Sequence, residues 1–554
     1  RYIYPKVQQH IIMSHTEKSA VIPRKYLFSF ILVTTLFSLW GFANDVTNPL
    51  VAVFKDVFVI SNAQSTWVQM AFYGGYATMA LPAAIFIRRF SYKSGIIVGL
   101  ALYALGALLS IPAAAGANFN LFIIALYILT FGLAFLETTA NPYILSMGPP
   151  ETATRRLNLA QAFNPIGSLT GMFIAGTVIL SSIQVEDFKN DVNGYAADMQ
   201  TREVIQSEYN IPSFLQAKPR ERVNDEKVKA YVIEKNANLP GTALEDLLAT
   251  ALPDLPATAL PDLAATAQQY LPVKTLENLT ATALKELPST ALEDFKDGRI
   301  DSFQGMTHQE LQQSDLKLVS MPYTAIGGVV LFVLVIFFVT KLPNTSPPDS
   351  DHDVHFGRTV KRLFTNPMYV GGVIAQIFYV GAQIMTWTFI IQYAENELGI
   401  DKATAQNFNI MAMVIFLLSR FIFTFFLKYI SPSNLLLSLS VSAILFTLGA
   451  IYLQGLTGLY SLVLISACMS LMFPTIYGMA LDGVGEDAKL GSAGLIFAIV
   501  GGVFMTRFQG QVLDLDSFMG TTATRGSFFL VVLCFAIIAI YAFTVSQHKK
   551  KLSA

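Results

Sequence analysis

A carboxylate and three amides lie within two adjacent apolar runs, in residues 135–168. Glu137 stands near the middle of the first run, and Asn141 follows one helical turn later. Gln161 and Asn164 stand inside the second run. An ionisable side chain within a membrane span is costly and commonly marks a substrate path or a proton relay. We therefore expect Glu137 to handle a proton or cation; the alternative is a hydrogen bond that only joins two helices.

A second carboxylate, Asp45, lies in the apolar run LWGFANDVTNPL, where Pro49 weakens the helical hydrogen-bond ladder. Burial in a low dielectric disfavours the charged form of a carboxyl group, so such a group can exchange protons near neutral pH. The spans of the first half contain no mid-span Lys or Arg that would pair permanently with either acid. Asp45 and Glu137 are therefore the predicted proton-coupling residues.

Amides and aromatic side chains also share one face of a helix in the second half of the chain. Gln376, Tyr379, Gln383 and Trp387 recur at a spacing of three to four residues. Amides bind sugar hydroxyl groups, and Tyr and Trp stack on the apolar faces of sugar rings. We expect this face to contact a sugar; the alternative is a helix interface joined by amides.

Two further cations occur inside predicted spans. Arg420 and Arg507 are expected to extend toward the membrane surface or to pair at a gate, since a buried, unpaired cation is costly.

The composition is that of a polytopic membrane protein. The chain has 554 residues, of which 53% are hydrophobic and 14% charged. A net charge of −1 gives no indication of a nucleic-acid partner. The two cysteines show no metal-ligand spacing, and no phosphate loop or Ser–His pair suggests catalysis. We therefore predict no enzyme activity, no cofactor and no bound metal.

Twelve apolar runs are long enough to cross a bilayer, which requires about 20 residues each. They divide six and six around a polar segment, which favours two structural repeats around a midplane site. The predicted spans are 26–53, 65–88, 93–114, 119–147, 156–183, 320–341, 368–394, 403–428, 433–454, 457–480, 489–513 and 525–546.

Lys and Arg are concentrated in alternate loops, which predicts that both termini are cytoplasmic. The fold class is an all-α membrane protein with twelve helices in two six-helix bundles and a large extracytoplasmic insertion between helices 5 and 6. The predicted parts are the tail 1–25, helices 1–5 in 26–183, the insertion 184–318, helix 6 in 319–341, the linker 342–366, helices 7–12 in 367–546 and the tail 547–554.

The insertion contains a repeat close to TALxDLxA with a period of eight residues, which begins at Thr242. One interpretation is a low-complexity loop without a role in transport, because exposed loops tolerate insertions. The other is an external module that binds a ligand or caps the membrane part.

Four stretches of the chain resemble the L-fucose:proton symporter family of the major facilitator superfamily. They are the run from Trp40 to Leu50, YKSGIIVGLALYALGA at 92–107, LETTANPYILSMGPPETATRRLNLAQAFNPIGS at 136–168 and YVGAQIMTWTFIIQYA at 379–394. The resemblance covers nearly all spans but excludes 184–318. It implies two six-helix bundles, alternating access and proton-coupled sugar uptake across the bacterial inner membrane.

The resemblance also assigns roles to particular positions. The family carries its coupling proton on a carboxylate in span 4, and Glu137 matches that position within LETTANP. Its second functional carboxylate lies in span 1, in a motif resembling LWxxANNxND. Here Asn48 stands at that acidic position, and Asp45 stands where the family has Asn. Three residues along a helix correspond to about 4.5 Å, so the carboxylate has moved along nearly the same face.

These observations predict a monomeric sugar:proton symporter in the lipid bilayer. Its sugar site would be lined by Asn48, Gln161, Asn164, Gln376, Tyr379, Gln383 and Trp387. Similar family members take glucose, galactose or N-acetylglucosamine, and some look sodium-coupled, so the sugar and the coupling ion stay open. A sensor that binds its ligand through 184–318 is the rival from another class.

Overall fold

The computed structural model describes most of the membrane part and the two ends of the insertion. The described residues are 21–47, 50–60, 62–175, 179, 182–196, 211–216, 224–232, 234–235, 287–343, 356–400, 402–513, 515 and 517–553. The predicted site residue Asn48 and nearly all of the eight-residue repeat lie outside them.

The first half is helical. Its helices are α1 Leu27–Thr47, α2 Leu50–Phe58, α3 Asn62–Arg89, α4 Tyr92–Ala115, α5 Phe119–Ser146, α6 Ala153–Gln161, α7 Asn164–Ile174, α8 Gln184–Ala196 and α9 His308–Val339.

The second half begins with a short helix in the linker and ends in a long apolar helix. Its elements are α10 Phe356–Thr365, α11 Pro367–Leu398, α12 Lys402–Phe426, α13 Pro432–Tyr452, α14 Gly455–Met469, α15 Met472–Ala480, α16 Ala488–Phe497, α17 Gly501–Leu513, β1 Ser517–Phe518, β2 Thr521–Thr522, α18 Ala523–Gly526 and α19 Phe529–Ser553. The two strands form an antiparallel hairpin in which Ser517 pairs with Thr522.

Eleven helical stretches within the described residues are long and apolar enough to cross a membrane. The twelfth predicted span, 156–183, is represented by α6 and α7. The face that carries the linker helix α10 is called the linker side below, and the face that carries the insertion is called the insertion side.

Helix 6 begins earlier than its apolar run. The predicted span begins at 320, whereas α9 begins at His308. Thr307 and Glu310 form a capping box that satisfies backbone N–H groups at this end. Further along, Gln312 donates to the carbonyl of Val57 at 2.8 Å, which fixes the extension on the first half. These extra turns carry polar residues, and hydropathy alone therefore does not include them in the span.

Helix breaks within the described residues fall well inside the predicted spans 156–183, 457–480 and 489–513. The series of helical backbone hydrogen bonds is interrupted at Ala162 and Phe163, between α6 and α7. Pro165 lacks the N–H group that would continue it. A similar break separates α14 from α15 at Ser470, shortly before Pro474. The third lies between α16 and α17. Carbonyls freed at such breaks require other partners in a membrane, because water is excluded there.

Small residues bring the helices of the site together. A Cβ atom added at Gly41 would lie 2.2 Å from the carbonyl oxygen of Asn164. One added at Gly167 would lie 1.8 Å from the carbonyl oxygen of Ser38. No side chain fits in either position, so α1 and α7 pack backbone to backbone. This packing fixes Asn164 beside the helix that carries Asp45.

The ends of the insertion form a small folded unit with an aromatic core. Phe188 in α8 stacks on Phe295 with ring centroids 5.1 Å apart, and its edge meets Phe303 at 5.3 Å. The carboxylate of Asp315 in α9 accepts hydrogen bonds from the backbone N–H groups of Gln184 and Val185, at 2.9 and 3.0 Å. The unit is therefore continuous with helix 6.

Two polar contacts connect this unit to the two halves. Lys189 forms a 2.8 Å ion pair with Asp56 in α2, in the first half. The side-chain amide of Asn407 in α12 donates to the carbonyl of Leu215 at 3.1 Å, so the insertion also touches the second half.

An acidic residue organises the surface of the insertion. Asp294 is buried and accepts a hydrogen bond from Tyr231 at 2.6 Å, beside Lys235 and Arg299. Burial opposes its ionisation, but the hydrogen bond and the two cations outweigh that effect and lower the pKa of Asp294.

The linker helix α10 is attached to both halves through one buried hydroxyl. Arg88, at the end of α3, donates to the hydroxyl of Thr359 at 3.0 Å. Thr359 donates to Asp487 at 3.1 Å, and Arg362 donates two hydrogen bonds of 2.7 Å to the same carboxylate. Burial opposes the ionisation of Asp487, but the bonds from Arg362 and Thr359 outweigh it and lower its pKa.

Candidate functional site

Glu137 is a buried acid without a hydrogen-bond partner. Its side chain is 2% exposed, and neither carboxylate oxygen has a partner within the described residues. The phenols of Tyr76 and Tyr477 lie close enough to interact electrostatically with it. Tyr76 belongs to the first half and Tyr477 to the second, so the acid faces the boundary between the halves. Native proteins seldom leave buried polar atoms unpaired, and the exceptions are often functional.

Asp45 is also buried, at 3% exposure, in the last turn of α1. The phenol of Tyr73 in α3 interacts electrostatically with it. The two predicted coupling residues therefore both stand inside the first half.

The amides of span 5 are engaged with neighbouring helices. Gln161 donates from Nε2 to Oδ1 of Asn141 at 2.8 Å, which joins α6 to α5. Asn164 is half-buried and donates to the carbonyl of Phe37 in α1 at 3.2 Å. Nδ2 of Asn141 has no partner within the described residues, so a donor remains one turn from Glu137.

The predicted sugar-binding face of span 7 includes an amide that has no hydrogen-bond partner in the described part of the chain. Gln376 is fully buried, and neither its Oε1 nor its Nε2 has a partner within the described residues. Tyr379 donates to the carbonyl of Met469 at 3.1 Å, and Trp387 donates from Nε1 to Ser466 at 3.1 Å. Gln383 is half-buried. Gln376 therefore presents the donor and acceptor pair that suits a hydroxyl group.

Aromatic rings connect the halves beside these polar groups; Tyr379 among them was predicted from the sequence, whereas the roles of Trp40 and Phe473 were not. The rings of Trp40 in α1 and Phe473 in α15 lie 6.4 Å apart. Phe473 also meets Tyr379 edge-on at 6.1 Å and stacks on Tyr477 at 6.3 Å. Trp40 donates a hydrogen bond to Tyr76. Trp40 could have been found from the sequence, because it stands in the run LWGFANDVTNPL, five residues before Asp45. The sequence around Phe473 contains no comparable pattern.

The two halves are joined on the linker side of this layer. Asn158 donates to the hydroxyl of Thr475 at 3.2 Å, and Ser492 donates to the carbonyl of Thr138 at 3.2 Å. Arg420 donates to the carbonyl of Gln161 at 2.8 Å. Each bond joins a residue of the first half to a residue of the second. These three hydrogen bonds therefore hold the two halves together on the linker side of the polar and aromatic layer.

No group of three or more His, Cys, Asp or Glu side chains in the described part of the chain is arranged to hold a metal ion. Cys468 and Cys534 are both free and buried.

Two helical halves with a buried acid at their boundary define a membrane carrier. The family model of the Major Facilitator Superfamily matches residues 30–185. A solved structure of a transporter of this superfamily, FucP, in the outward conformation superposes with a TM-score of 0.65. It is 28% identical to this chain and covers 94% of it and 99% of its own length.

Curated relatives narrow the assignment. The L-fucose-proton symporter of Haemophilus influenzae is 42% identical over 94% of this chain and 97% of its own length. The L-fucose-proton symporter of Escherichia coli is 28% identical, and a glucose/galactose transporter of Brucella abortus is 26% identical, each over 96% of this chain and at least 96% of the relative. The chain belongs to the L-fucose-proton symporter family of the major facilitator superfamily.

Proposed function

We propose that this protein is a secondary active transporter that imports a monosaccharide, L-fucose or a related hexose, together with a proton. The observation that carries the proposal is Glu137, a buried acid at the boundary of the halves with neither oxygen hydrogen-bonded within the described residues. The names of the two L-fucose-proton symporters that it resembles support the same function. The protein is then a carrier rather than an enzyme.

Coupling follows from the energetic cost of a buried charge. In alternating access, the halves open to one side of the membrane and then to the other. Moving an ionised Glu137 through the closed, low-dielectric intermediate is costly, whereas the protonated acid is neutral and can donate a hydrogen bond. Protonation therefore permits the loaded carrier to change its access. We assign proton transfer to Glu137 and a supporting role to Asp45.

The sugar would lie between the halves, beside the amide of Gln376. Gln376 offers a donor and an acceptor to its hydroxyl groups, and Tyr379 and Trp387 lie on the same helix. Trp40 offers a ring face from the first half. Gln383, Gln161, Asn164 and Asn48 complete the proposed set. Polar groups that are buried without a partner favour a ligand that brings its own hydroxyls, because an unpaired amide is costly.

The proposed location is the bacterial inner membrane, with both termini and the linker in the cytoplasm. The excess of Lys and Arg on the linker side supports this orientation. The linker side is then cytoplasmic, the insertion is external, and the protein acts as a monomer with one site between its halves. The predicted division of the chain at 25, 183, 318, 341, 366 and 546 is retained, except that helix 6 begins at His308.

A second candidate is a sodium-coupled carrier for glucose or galactose. The observation that favours it is the exchange in span 1, where Asp45 and Asn48 replace the Asn and Asp of the L-fucose symporter motif. The 26% identical glucose/galactose transporter shows that the wider set of relatives takes other hexoses.

The test is uptake of radiolabelled sugar into proteoliposomes. L-Fucose, galactose, glucose and N-acetylglucosamine would each be offered under a proton gradient, a sodium gradient or neither. Accumulation of one sugar under a proton gradient alone supports the proposal. Accumulation that requires sodium supports the second candidate. If no sugar accumulates under any gradient, and none exchanges across the membrane, both are wrong.

A further inference from the structure

Among the residues that the structure describes, a buried arginine reaches from one half into the other. Arg420 in α12 is 3% exposed, and its guanidinium lies 4.5 Å from the centre of the Phe416 ring. Its Nε donates to the carbonyl of Ser470, and a terminal nitrogen donates to the carbonyl of Gln161 at 2.8 Å. The expectation that this side chain reaches the membrane surface is therefore wrong, whereas pairing at a gate agrees with the contacts.

Both acceptors are carbonyls at helix breaks. Ser470 stands between α14 and α15 in the second half, and Gln161 ends α6 in the first half, just before the break at Ala162. Carbonyls at such interruptions lack their usual intrahelical donors. One guanidinium, with five N–H donors in a rigid fork, satisfies one freed carbonyl in each half. A lysine has no such fork, so its ammonium is poorly suited to holding both carbonyls in the same geometry.

Gln161 belongs to the proposed sugar site, so the bond to its carbonyl lies beside that site, on the linker side. The side chain of the same Gln161 holds Asn141, one turn from Glu137. On the other side of the guanidinium, Tyr379 of the sugar-binding face interacts electrostatically with Arg420. The arginine thus connects α5 and α6, which carry Asn141 and Gln161, to α12 and to the break between α14 and α15 in the second half.

We infer that Arg420 is a positioning residue that holds the linker side closed through the backbone carbonyl of Gln161. This inference rests on the proposed function, since it concerns a step of alternating access. When the halves separate on the linker side, the bonds between them cannot persist. The guanidinium then loses a charge-assisted bond, and the freed carbonyl must be hydrated. The bond therefore favours the linker-side-closed state, and Arg420 contributes to the barrier to sugar release on that side.

Ser492 provides a reporter of this closure. It is fully buried and donates to Thr138 across the halves, so a cysteine in its place becomes reactive only when the linker side opens. The native Cys468 and Cys534 are buried, and their background reaction is measured in protein without Ser492→Cys. The experiment compares the maleimide labelling rate of purified Ser492→Cys with that of the same protein carrying Arg420→Lys or Arg420→Gln.

The matched control is Arg156→Lys. Arg156 is also fully buried and bonds backbone carbonyls, but its partners, which include Ile144 and Pro149, all belong to the first half. Loss of these bonds lowers stability without a direct effect on closure. Loss of one charge-assisted bond should increase labelling by roughly tenfold in the Arg420 variants. Labelling of the Arg156→Lys protein should stay near the rate of the parent.

Each outcome decides the question. Labelling at the parent rate in a folded Arg420 variant, judged by a single symmetrical peak in size-exclusion chromatography, overturns the inference. An equal increase in Arg156→Lys also overturns it, because general loosening would then explain the effect. If Arg420→Lys does not fold, the labelling comparison is made with Arg420→Gln. Sugar exchange is measured on the same samples: a parent that moves no sugar contradicts the proposed function, while the labelling result still decides the role of Arg420.

Discussion

Gln161 donates a 2.8 Å hydrogen bond to Asn141, and this bond ties α6 to α5 one turn beyond Glu137. Nδ2 of Asn141 and both carboxylate oxygens of Glu137 have no hydrogen-bond partner within the described residues. The amide of Gln161 is thus hydrogen-bonded to the protein, whereas that of Gln376 has no partner in the part of the chain that the structure describes. This difference divides the predicted amides into one that shapes the site and one that is available to a ligand.

Gln376→Ala should weaken sugar binding. The amide is fully buried, and neither its donor nor its acceptor has a partner among the described residues, so its loss would leave sugar hydroxyls unpaired. Leaving such a group unpaired costs about 1–3 kcal/mol, or roughly 5- to 150-fold in affinity. The measurement is calorimetric titration with the sugar identified by uptake. Gln392→Ala, a half-buried position on the same helix, is the control. Equal affinity in the Gln376 variant and wild type would remove Gln376 from the site.

Asp45 should carry part of the work that the family motif gives to the position of Asn48. Asp45→Asn alone should show little gradient-driven uptake, because Glu137 is then the one buried acid within the apolar runs that the structure describes in the first half. The exchange Asp45→Asn with Asn48→Asp restores the motif and should recover partial uptake. The comparison is made in proteoliposomes at matched protein density. Uptake by Asp45→Asn at the wild-type rate would show that the carboxylate is incidental.

The repeat part of the insertion should be dispensable, but its folded ends should not. The ion pair of Lys235 with Asp294, at 3.4 Å, holds the two sides of the repeat together, so a Gly–Ser linker is a suitable replacement for 236–286. We expect normal uptake from that protein. Phe188→Ala removes the ring that packs on Phe295 and Phe303 and should cost about 3–5 kcal/mol of stability. If the shortened protein inserts correctly but takes up no sugar, the repeat has a role in transport.

Hydropathy predicted the spans because a bilayer imposes one length on every helix that crosses it. It did not predict the start of α9, where capping by Thr307 and Glu310 and the contact of Gln312 extend the helix beyond its apolar run. The S/T-x-x-E spacing at 307–310 was a readable signal for this start.

Contacts between distant residues were beyond a reading of the sequence. The sequence predicts that Arg420 either extends to the membrane surface or pairs at a gate, and it does not decide between them, because the acceptor is a backbone carbonyl 259 positions away. Phe188 and Phe295 read as unrelated apolar residues on the two sides of a repeat. Glu137 could be singled out from the sequence, because a carboxylate in a span is rare whatever surrounds it, and its coupling role stays a prediction. That Gln161 is engaged and Gln376 is not depends on helix packing, which one sequence does not reveal.

The attachment of the linker helix should weaken in acid. The lowered pKa of Asp487 means that its ionised form is stabilised in the folded protein. That stability is fully present above the unfolded value of 3.8 and is lost as the pH falls through the lower, folded value. Asp487→Asn should cost about 1–2 kcal/mol and should remove the part of the acid sensitivity that appears below about pH 4.

The readout for Asp487 is the thermal unfolding midpoint between pH 7 and pH 3. Asp482→Asn is the control, because Asp482 pairs with Lys549 at the surface, where both side chains are 49% exposed. Exposed pairs contribute little. A midpoint that responds to acid equally in wild type and Asp487→Asn would contradict the assignment.

Glu137→Gln should separate sugar exchange from sugar accumulation. Gln resembles the protonated acid in shape and can donate a hydrogen bond, but it cannot titrate. The variant is permanently neutral at this position, so it should bind sugar and exchange labelled for unlabelled sugar across the membrane. It should fail to concentrate sugar under an imposed pH gradient, because no proton is bound and released in each cycle. Its sugar binding should also lose any pH dependence that arises from Glu137.

Both assays are run on the same proteoliposomes, so that a misfolded variant, which would fail in exchange as well, is distinguished from an uncoupled one. Glu151→Gln is the matched control, because Glu151 is exposed in the turn between α5 and α6 and should keep full accumulation. Accumulation by Glu137→Gln at the wild-type level would move the coupling role to another acid. Asp45 would be tested first, because it is also buried within an apolar run of the first half.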